Sequence, residues 1–295
     1  MDAKTIAPVF VRGYSRSGGT LLVTLLDTHP NIAMSYEQYP NMLVGEREEV
    51  LSFEQFLDWL RRCRSAAGLK TVPKKFAAFV VRWGRSGISP NDLIRLAEGH
   101  SFGSYSDRLD SREAIAFIGY VAEQKRIRKS ALRWGLKCGN QFPDYQTVYP
   151  AAKFLNITRD GRDVAASQLV TGAFNKSVAE IASGWRQTHL AFARFLRENP
   201  DSCLQIFYEE LVGNPEQELR KICEFLKEAW DPSMLRHHEK DLTIFEVNHL
   251  SGERLRVPID ASKIGRWKKE LTSEMLLEFD SVAGELLREL GYVAG

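Results

Sequence analysis

An apolar, β-branched run from Ile6 to Val11 stops at Gly13, and the apolar residues from Thr20 to Asp27 then recur at helical spacing until His29-Pro30 ends them. The pattern predicts a strand, a glycine loop and a helix. A second short strand is expected at Asn31 to Met34, leading to Glu37. From about Phe53 to Lys129 the period is that of helices, with Phe53, Phe56, Leu57 and Leu60 on one face and a later helix at Ala114 to Arg126. This stretch, residues 46–130 in outline, predicts an inserted helical cap. Its middle, Arg82 to Asp110, is rich in Gly, Ser and Arg and predicts a mobile surface loop. Strands are expected again at Ala131 to Lys137, Lys153 to Thr158 and Cys203 to Tyr208. Between and after them, Val178, Ile181, Ala182, Trp185, His189, Phe192, Ala193 and Leu196 form one helical face. Met275, Phe279, Val282, Leu286 and Leu290 form another, which predicts a last helix packing on the sheet. Such alternation implies an α/β fold with a parallel sheet flanked by helices. With no internal repeat, low-complexity tract or linker, residues 1–295 are expected to form one domain.

Composition narrows what this fold can do. Forty Lys and Arg against 38 Asp and Glu leave a formal charge of +2, so nothing attracts nucleic acid or an anionic membrane to the chain as a whole. Anion binding must be local. No stretch reaches the roughly 20 apolar residues of a membrane span. The N-terminal segment MDAKTIAPVFVRGYSRSGG has charges and no long apolar core of a signal peptide, so a cytoplasmic location is expected. Cys63, Cys138, Cys203 and Cys223 form no CxxC pair and are expected to be reduced core thiols. No EF-hand loop, HExxH or clustered His and Cys ligands are present, so no metal is expected.

The candidate chemistry lies in two basic motifs. Gly13-Tyr14-Ser15-Arg16-Ser17-Gly18-Gly19-Thr20 stands where a strand feeds a helix, so backbone N–H groups and the positive helix end converge on one spot suited to phosphate. Glycines admit the anion, Ser17 and Thr20 offer hydroxyls, and Arg16 offers a fork of donors. The Walker pattern GxxxxGK[ST] nearly fits, but Gly19 stands in place of its lysine, which disfavours a nucleoside triphosphatase. A tight turn that binds nothing is the bland alternative. The second motif, Arg159-Asp160-Gly161-Arg162-Asp163, follows the apolar strand Phe154 to Thr158 and opens a helix carrying Ser167. Arg159 and Ser167 can face one pocket; the bland alternative is a surface ion-pair cluster.

The stretches 12-RGYSRSGGTLLVTLLDTHPNIAMSYE-37 and 154-FLNITRDGRDVAAS-167 resemble the 5′-phosphosulfate loop and the 3′-phosphate site of sulfotransferases. Within that superfamily the resemblance is greatest to tyrosylprotein sulfotransferases and related bacterial enzymes. It extends to 206-IFYEELVGNPEQELRKICEFL-226, to His237-His238-Glu239 and to 262-SKIGRW-267. It implies a P-loop-like parallel sheet, with the helical insert on the acceptor side. It also implies 3′-phosphoadenosine 5′-phosphosulfate (PAPS) as donor and PAP as product. Arg16, Ser17, Gly18, Gly19, Thr20 and Leu21 match the loop around the 5′-phosphate, Arg16 also contacting the transferring group. Arg159 and Ser167 match the pair on the 3′-phosphate, and Tyr208 a tyrosine beside the nucleotide. Ser262, Lys263 and Arg266 are alternative phosphate contacts in a closing loop. Glu37 matches the general base and Lys137 a lysine that stabilises the leaving group or the sulfuryl oxygens. Gly19 departs from the family by replacing the first of two threonines.

Transfer to a hydroxyl needs an in-line acceptor, a base and cations. The acceptor is left open among a carbohydrate, a small metabolite, a lipid and a peptide tyrosine. A homodimer is suggested by the resemblance alone. Two other classes compete: a P-loop kinase-like phosphotransferase, which requires a lysine at position 19, and a non-catalytic nucleotide-binding protein. Among the histidines, His29 is expected to cap a helix end, His237 and His238 to pack or be solvated, and His249 to be a spare base. Trp134, Trp185, Trp230 and Trp267 are expected in the core, Trp267 with the option of flanking the nucleotide.

Overall fold

Alternation of short buried strands with helices is what the computed structural model shows; it describes residues 6–43, 52–100, 110–172, 175–241 and 252–292. The chain opens with β1 (Val9–Arg12), α1 (Gly19–Thr28) and β2 (Ile32–Ser35). There follow α2 (Phe53–Arg62), α3 (Ala66–Leu69), α4 (Lys74–Gly84), α5 (Pro90–Gly99) and α6 (Ser111–Lys129), then β3 (Arg133–Lys137), α7 (Phe142–Val148) and β4 (Lys153–Thr158). The second half runs α8 (Gly161–Thr171), α9 (Val178–Glu198), β5 (Cys203–Phe207), α10 (Tyr208–Gly213), α11 (Pro215–Leu226), α12 (Gly252–Leu255), α13 (Trp267–Glu270) and α14 (Ser273–Glu289).

The strands form one five-stranded parallel sheet in the order β2-β3-β1-β4-β5. Ile32 pairs with Arg133 and Ser35 with Leu136 in one parallel ladder; Phe154 pairs with Cys203 and Thr158 with Phe207 in another. All residues of β1, β2 and β3 are buried. Runs without polar alternation are what a sheet covered on both faces requires.

The chain divides into two compact units: the described residues of Met1–Phe10, Thr20–Lys153 and Asp231–Pro258 in one, and of Val11–Gly19, Phe154–Trp230 and Ile259–Gly295 in the other. In the first, α6 packs on β2 and β3. There the Phe10 ring meets Tyr145 at 4.6 Å and Trp134 at 5.7 Å. Phe56 meets Phe76 and Phe117 edge-on, joining α2, α4 and α6. Each such ring, fully buried, contributes about 2–3 kcal/mol. In the second unit, Val164, Ile181, Trp185, Trp267, Phe279 and Leu286 share one apolar cluster.

Two expectations are corrected. Arg82–Asp110 is not a loop throughout: α4 runs to Gly84, and α5 starts at a capping box in which Ser89 and Asp92 satisfy each other's backbone N–H groups. Leu93, Ile94, Leu96 and Ala97 then bury one face of α5. Residues 101–109 of that stretch lie outside the described residues. The last helix, α14, packs on α8 and α9 rather than on the sheet. The four cysteines are free and buried, and no described helix is long and apolar enough to cross a membrane.

Candidate active site

The glycine loop between β1 and α1 is held in a conformation that its sequence makes accessible. Tyr14 O accepts the Ser17 N–H at 3.1 Å, and Arg16 and Gly18 take left-handed φ values of 73° and 95°. A Cβ on Gly13 would lie 2.5 Å from the Ile157 carbonyl oxygen, and one on Gly18 would lie 2.5 Å from the Tyr208 ring. Only glycine permits this approach of the loop to β4 and to Tyr208. Ser17 is buried, and its hydroxyl has no hydrogen-bond partner. An orphan of this kind in a phosphate-type loop marks a place where a ligand acceptor fits. Leu21 is half-buried in the first turn of α1.

The two motifs meet. Arg16 Nε donates to Ser167 Oγ at 3.1 Å, and Arg159 donates to the Arg16 carbonyl at 3.3 Å. Gln168, beside Ser167, donates to the Ser15 carbonyl at 3.2 Å and so ties α8 to the loop. Arg16 and Ser167, expected at different phosphates, are therefore direct neighbours. Tyr208 lies against Gly18 and under the Arg159 guanidinium, 4.4 Å from ring centre to carbon. The surface-cluster alternative fails, because Arg159, Asp160, Arg162 and Asp163 are all buried, at 8% exposure or less.

Burying four charges requires partners, and each has them. Asp160 accepts from the Arg162 backbone and guanidinium at 2.8–3.1 Å, and Arg162 stacks on Trp267 at 4.0 Å. The Asp160 N–H donates to Glu209 at 2.9 Å, and Tyr292 donates to the other Glu209 oxygen at 3.0 Å. Burial pushes the Glu209 carboxyl above the usual range. Trp185 donates to the Arg159 carbonyl at 3.0 Å. Asp163 accepts from Gly265 N at 2.9 Å, Trp267 N at 3.0 Å and Arg159 at 3.3 Å.

Of the three alternatives in the closing loop, Lys263 is joined to Arg159 through its carbonyl. Ser262 is exposed, with its N–H on Asp260, and Arg266 pairs with Glu270 at 2.7 Å. Trp267 is buried in the cluster with α8, α9 and α14, so it serves as core.

The unit that contains Glu37 places it between two fixed points. Tyr36 N donates to Ser86 Oγ at 2.9 Å, and Gln38 N donates to the Lys137 carbonyl at 3.1 Å. Upstream, Lys125 and Lys129 of α6 hold the α1–β2 turn through Asp27 and the carbonyls of His29 and Ile32. Glu37 forms an ion pair with Lys137, and Arg82 lies 3.8 Å from its second oxygen. Lys137 Nζ is also 3.4 Å from the hydroxyl of Thr20 in the first turn of α1. Burial pushes the Lys137 ammonium down, but Glu37 and Tyr39 outweigh it and hold the group above its ordinary value.

His29 is buried, and its Nδ1 accepts the Asn31 N–H at 3.1 Å just beyond α1. His237 is fully buried with both ring nitrogens unpartnered. His249 lies outside the described residues. Trp134 and Trp185 are buried, while Trp230 is half-exposed under Arg220. Asp163, Gln168, Arg82 and Glu209 were not singled out from the sequence as site residues. Asp163, Gln168 and Glu209 had only their place in or beside a motif as a signal, and Arg82 only its place in an arginine-bearing stretch, because partners of each lie far along the chain.

Comparison with known proteins agrees with this architecture. The family model described as "Sulfotransferase family" matches residues 8–232. Protein-tyrosine sulfotransferase A of Caenorhabditis elegans is 24% identical over 295 residues, spanning 96% of this chain and 67% of that protein. The protein-tyrosine sulfotransferase of Drosophila melanogaster is 24% identical over 297 residues, spanning 96% of this chain but 51% of the fly protein. Among solved structures, the sulfotransferase domain of the Synechococcus PCC 7002 olefin synthase superposes with a TM-score of 0.66 at 18% identity, covering 98% of this chain and 96% of that domain. A mouse sulfotransferase complexed with PAP superposes with a TM-score of 0.50 at 16% identity, covering 95% of this chain and 84% of that one.

Proposed function

Because the chain belongs to the sulfotransferase family and is an enzyme of that class, we propose that it takes its sulfuryl group from PAPS and delivers it to a hydroxyl acceptor. One observation carries the donor assignment: the buried, unpartnered Ser17 hydroxyl sits in a loop to which Arg16, Ser167 and Arg159 are joined by hydrogen bonds. Two glycines of the loop approach β4 and Tyr208 so closely that a Cβ would overlap them. The residues present thus fit a doubly phosphorylated nucleotide.

In this reading Ser17, Thr20 and the N–H groups of the loop, together with the start of α1 at Gly19 to Leu21, hold one phosphate. Arg159, Arg16 and Ser167 hold the other, with Tyr208 beside the nucleotide and Ser262, Lys263 or Arg266 supplying contacts from the closing loop. PAPS, when bound, supplies the activated sulfuryl group. Glu37 accepts the proton of the attacking hydroxyl. Lys137 offers a fixed cation for the charge that develops, and being held by Glu37 and Thr20 it has little reorientation left to do. Arg82, facing Glu37, orients the carboxylate.

The acceptor proposed first is a phenolic hydroxyl of a peptide tyrosine, on the strength of the named activity of the relatives. Calorimetry tests the donor: PAP should bind without added metal, and ATP with Mg²⁺ should bind far more weakly. Tighter binding of ATP with Mg²⁺ would favour a phosphotransferase and end the proposal. Radiolabelled sulfate transfer to a tyrosine peptide, a monosaccharide and a simple alcohol then ranks the acceptors.

A further inference from the structure

We propose that Asp163 is a positioning residue that latches the Ser262–Trp267 loop onto Arg159 and thereby sets how long the donor stays bound. The inference rests on the PAPS reading above, but its geometry stands independently. The Asp163 side chain is fully buried. Its two oxygens take three donors from two directions: Oδ1 the Trp267 N–H at 3.0 Å, Oδ2 the Gly265 N–H at 2.9 Å and Arg159 at 3.3 Å. Arg159 in turn reaches the Lys263 carbonyl. The loop is therefore clasped at positions 263, 265 and 267 by Arg159 and Asp163, and Arg159 also donates to the Arg16 carbonyl.

A carboxylate suits this task and an amide does not. Two diverging backbone N–H groups and a guanidinium need an acceptor on both branches, whereas asparagine offers one oxygen and turns an NH₂ toward the other N–H. Position also helps, since Asp163 stands in the first turn of α8, where a negative charge is favoured. The loop reaches the latch by a left-handed turn at Gly265, φ 70°, while Trp267 anchors its far end in the apolar cluster. Without the latch, the segment between Asp260 and the Trp267 anchor keeps the Ser262 turn on Asp260 and the Arg159 bond to the Lys263 carbonyl, and it loses the clasp at Gly265 and Trp267.

Residue-resolved hydrogen exchange and PAP dissociation kinetics on Asp163→Asn test this. Exchange at the Gly265 and Trp267 amides should quicken at least about tenfold, and PAP should leave about 10- to 100-fold faster, the effect of losing a hydrogen bond to a charged group. Donor KM should rise while kcat at saturating donor holds, a split that a general loss of structure does not produce. Should Asp163→Asn fail to fold, Gly265→Ala decides: its methyl meets no atom within 4 Å but strains the left-handed φ, and PAP should leave about fivefold faster. Wild-type rates of exchange and of PAP release in the folded variant overturn the latch. If the wild-type chain binds no PAP, the donor reading fails, and the exchange arm alone judges the latch.

Discussion

Replacing Gly18 by alanine perturbs the loop in two separable ways. The backbone there has φ 95°, and a Cβ would stand 2.5 Å from Tyr208 Cδ2 and 3.2 Å from Ile157 Cδ1. Holding an L-residue in the left-handed region costs about 1–2 kcal/mol. Relieving the overlap means moving the Tyr208 ring by about 1 Å, and that ring is 7% exposed with Arg159 stacked upon it. Displacing a packed ring of this kind costs about 1–3 kcal/mol. Gly18→Ala should therefore destabilise the fold by about 2–5 kcal/mol, or, where the loop yields instead, weaken PAP binding by a similar amount. Urea unfolding with and without saturating PAP measures both shares. A cycle with Tyr208→Ala separates the causes, since removing the ring abolishes the overlap but leaves the backbone strain. The reasoning is wrong if Gly18→Ala matches wild type within about 0.5 kcal/mol in stability and in PAP affinity.

Ser17→Ala should give opposite signs: stability unchanged or raised by up to about 1 kcal/mol, because a buried unsatisfied hydroxyl disappears, and PAP affinity about 5- to 10-fold lower; parallel losses in both would deny Ser17 a ligand role. Glu37→Gln should lower turnover about 10²- to 10⁴-fold while leaving PAP affinity in place, and single-turnover sulfate transfer with near-normal rates would reassign the base. His237, pushed down by burial to about 4 from an ordinary 6.5, should be neutral in the fold. Its folded value is lower than its unfolded one, so its contribution is complete above about pH 6.5 and is lost as pH falls toward 4, by about 3 kcal/mol in all. His237→Leu should flatten that part of the stability–pH curve, and a curve as steep as wild type between pH 6.5 and 4 would show that another group titrates there.

Much of the sheet was legible from pattern alone, because buried parallel strands read as short runs with an apolar centre and no strict polar alternation: Lys153–Thr158 is the same segment in sequence and structure. The glycine loop was legible for a similar reason, since its turn and its donors are contiguous. The helix Pro90–Gly99 was missed although Ser89, Asp92, Leu93, Ile94, Leu96 and Ala97 carried its cap and its buried face; the Gly, Ser and Arg around it masked a local signal that was present. Asp163 was illegible in a stricter sense. Its two backbone donors come from residues 102 and 104 positions away, and nothing within the RDGRD string distinguishes a buried aspartate that organises a distant loop from one that pairs with the next arginine.

Arg159 does not meet an arriving nucleotide as an empty fork. Two of its nitrogens already serve the carbonyls of Arg16 and Lys263 and the carboxylate of Asp163. Its Nε is buried without a hydrogen-bond partner, so phosphate gains that donor directly and displaces bound oxygen atoms only to reach the terminal nitrogens. A cation so enclosed holds few mobile counterions to release. Donor affinity should accordingly change less with ionic strength than a count of arginines around the nucleotide would suggest.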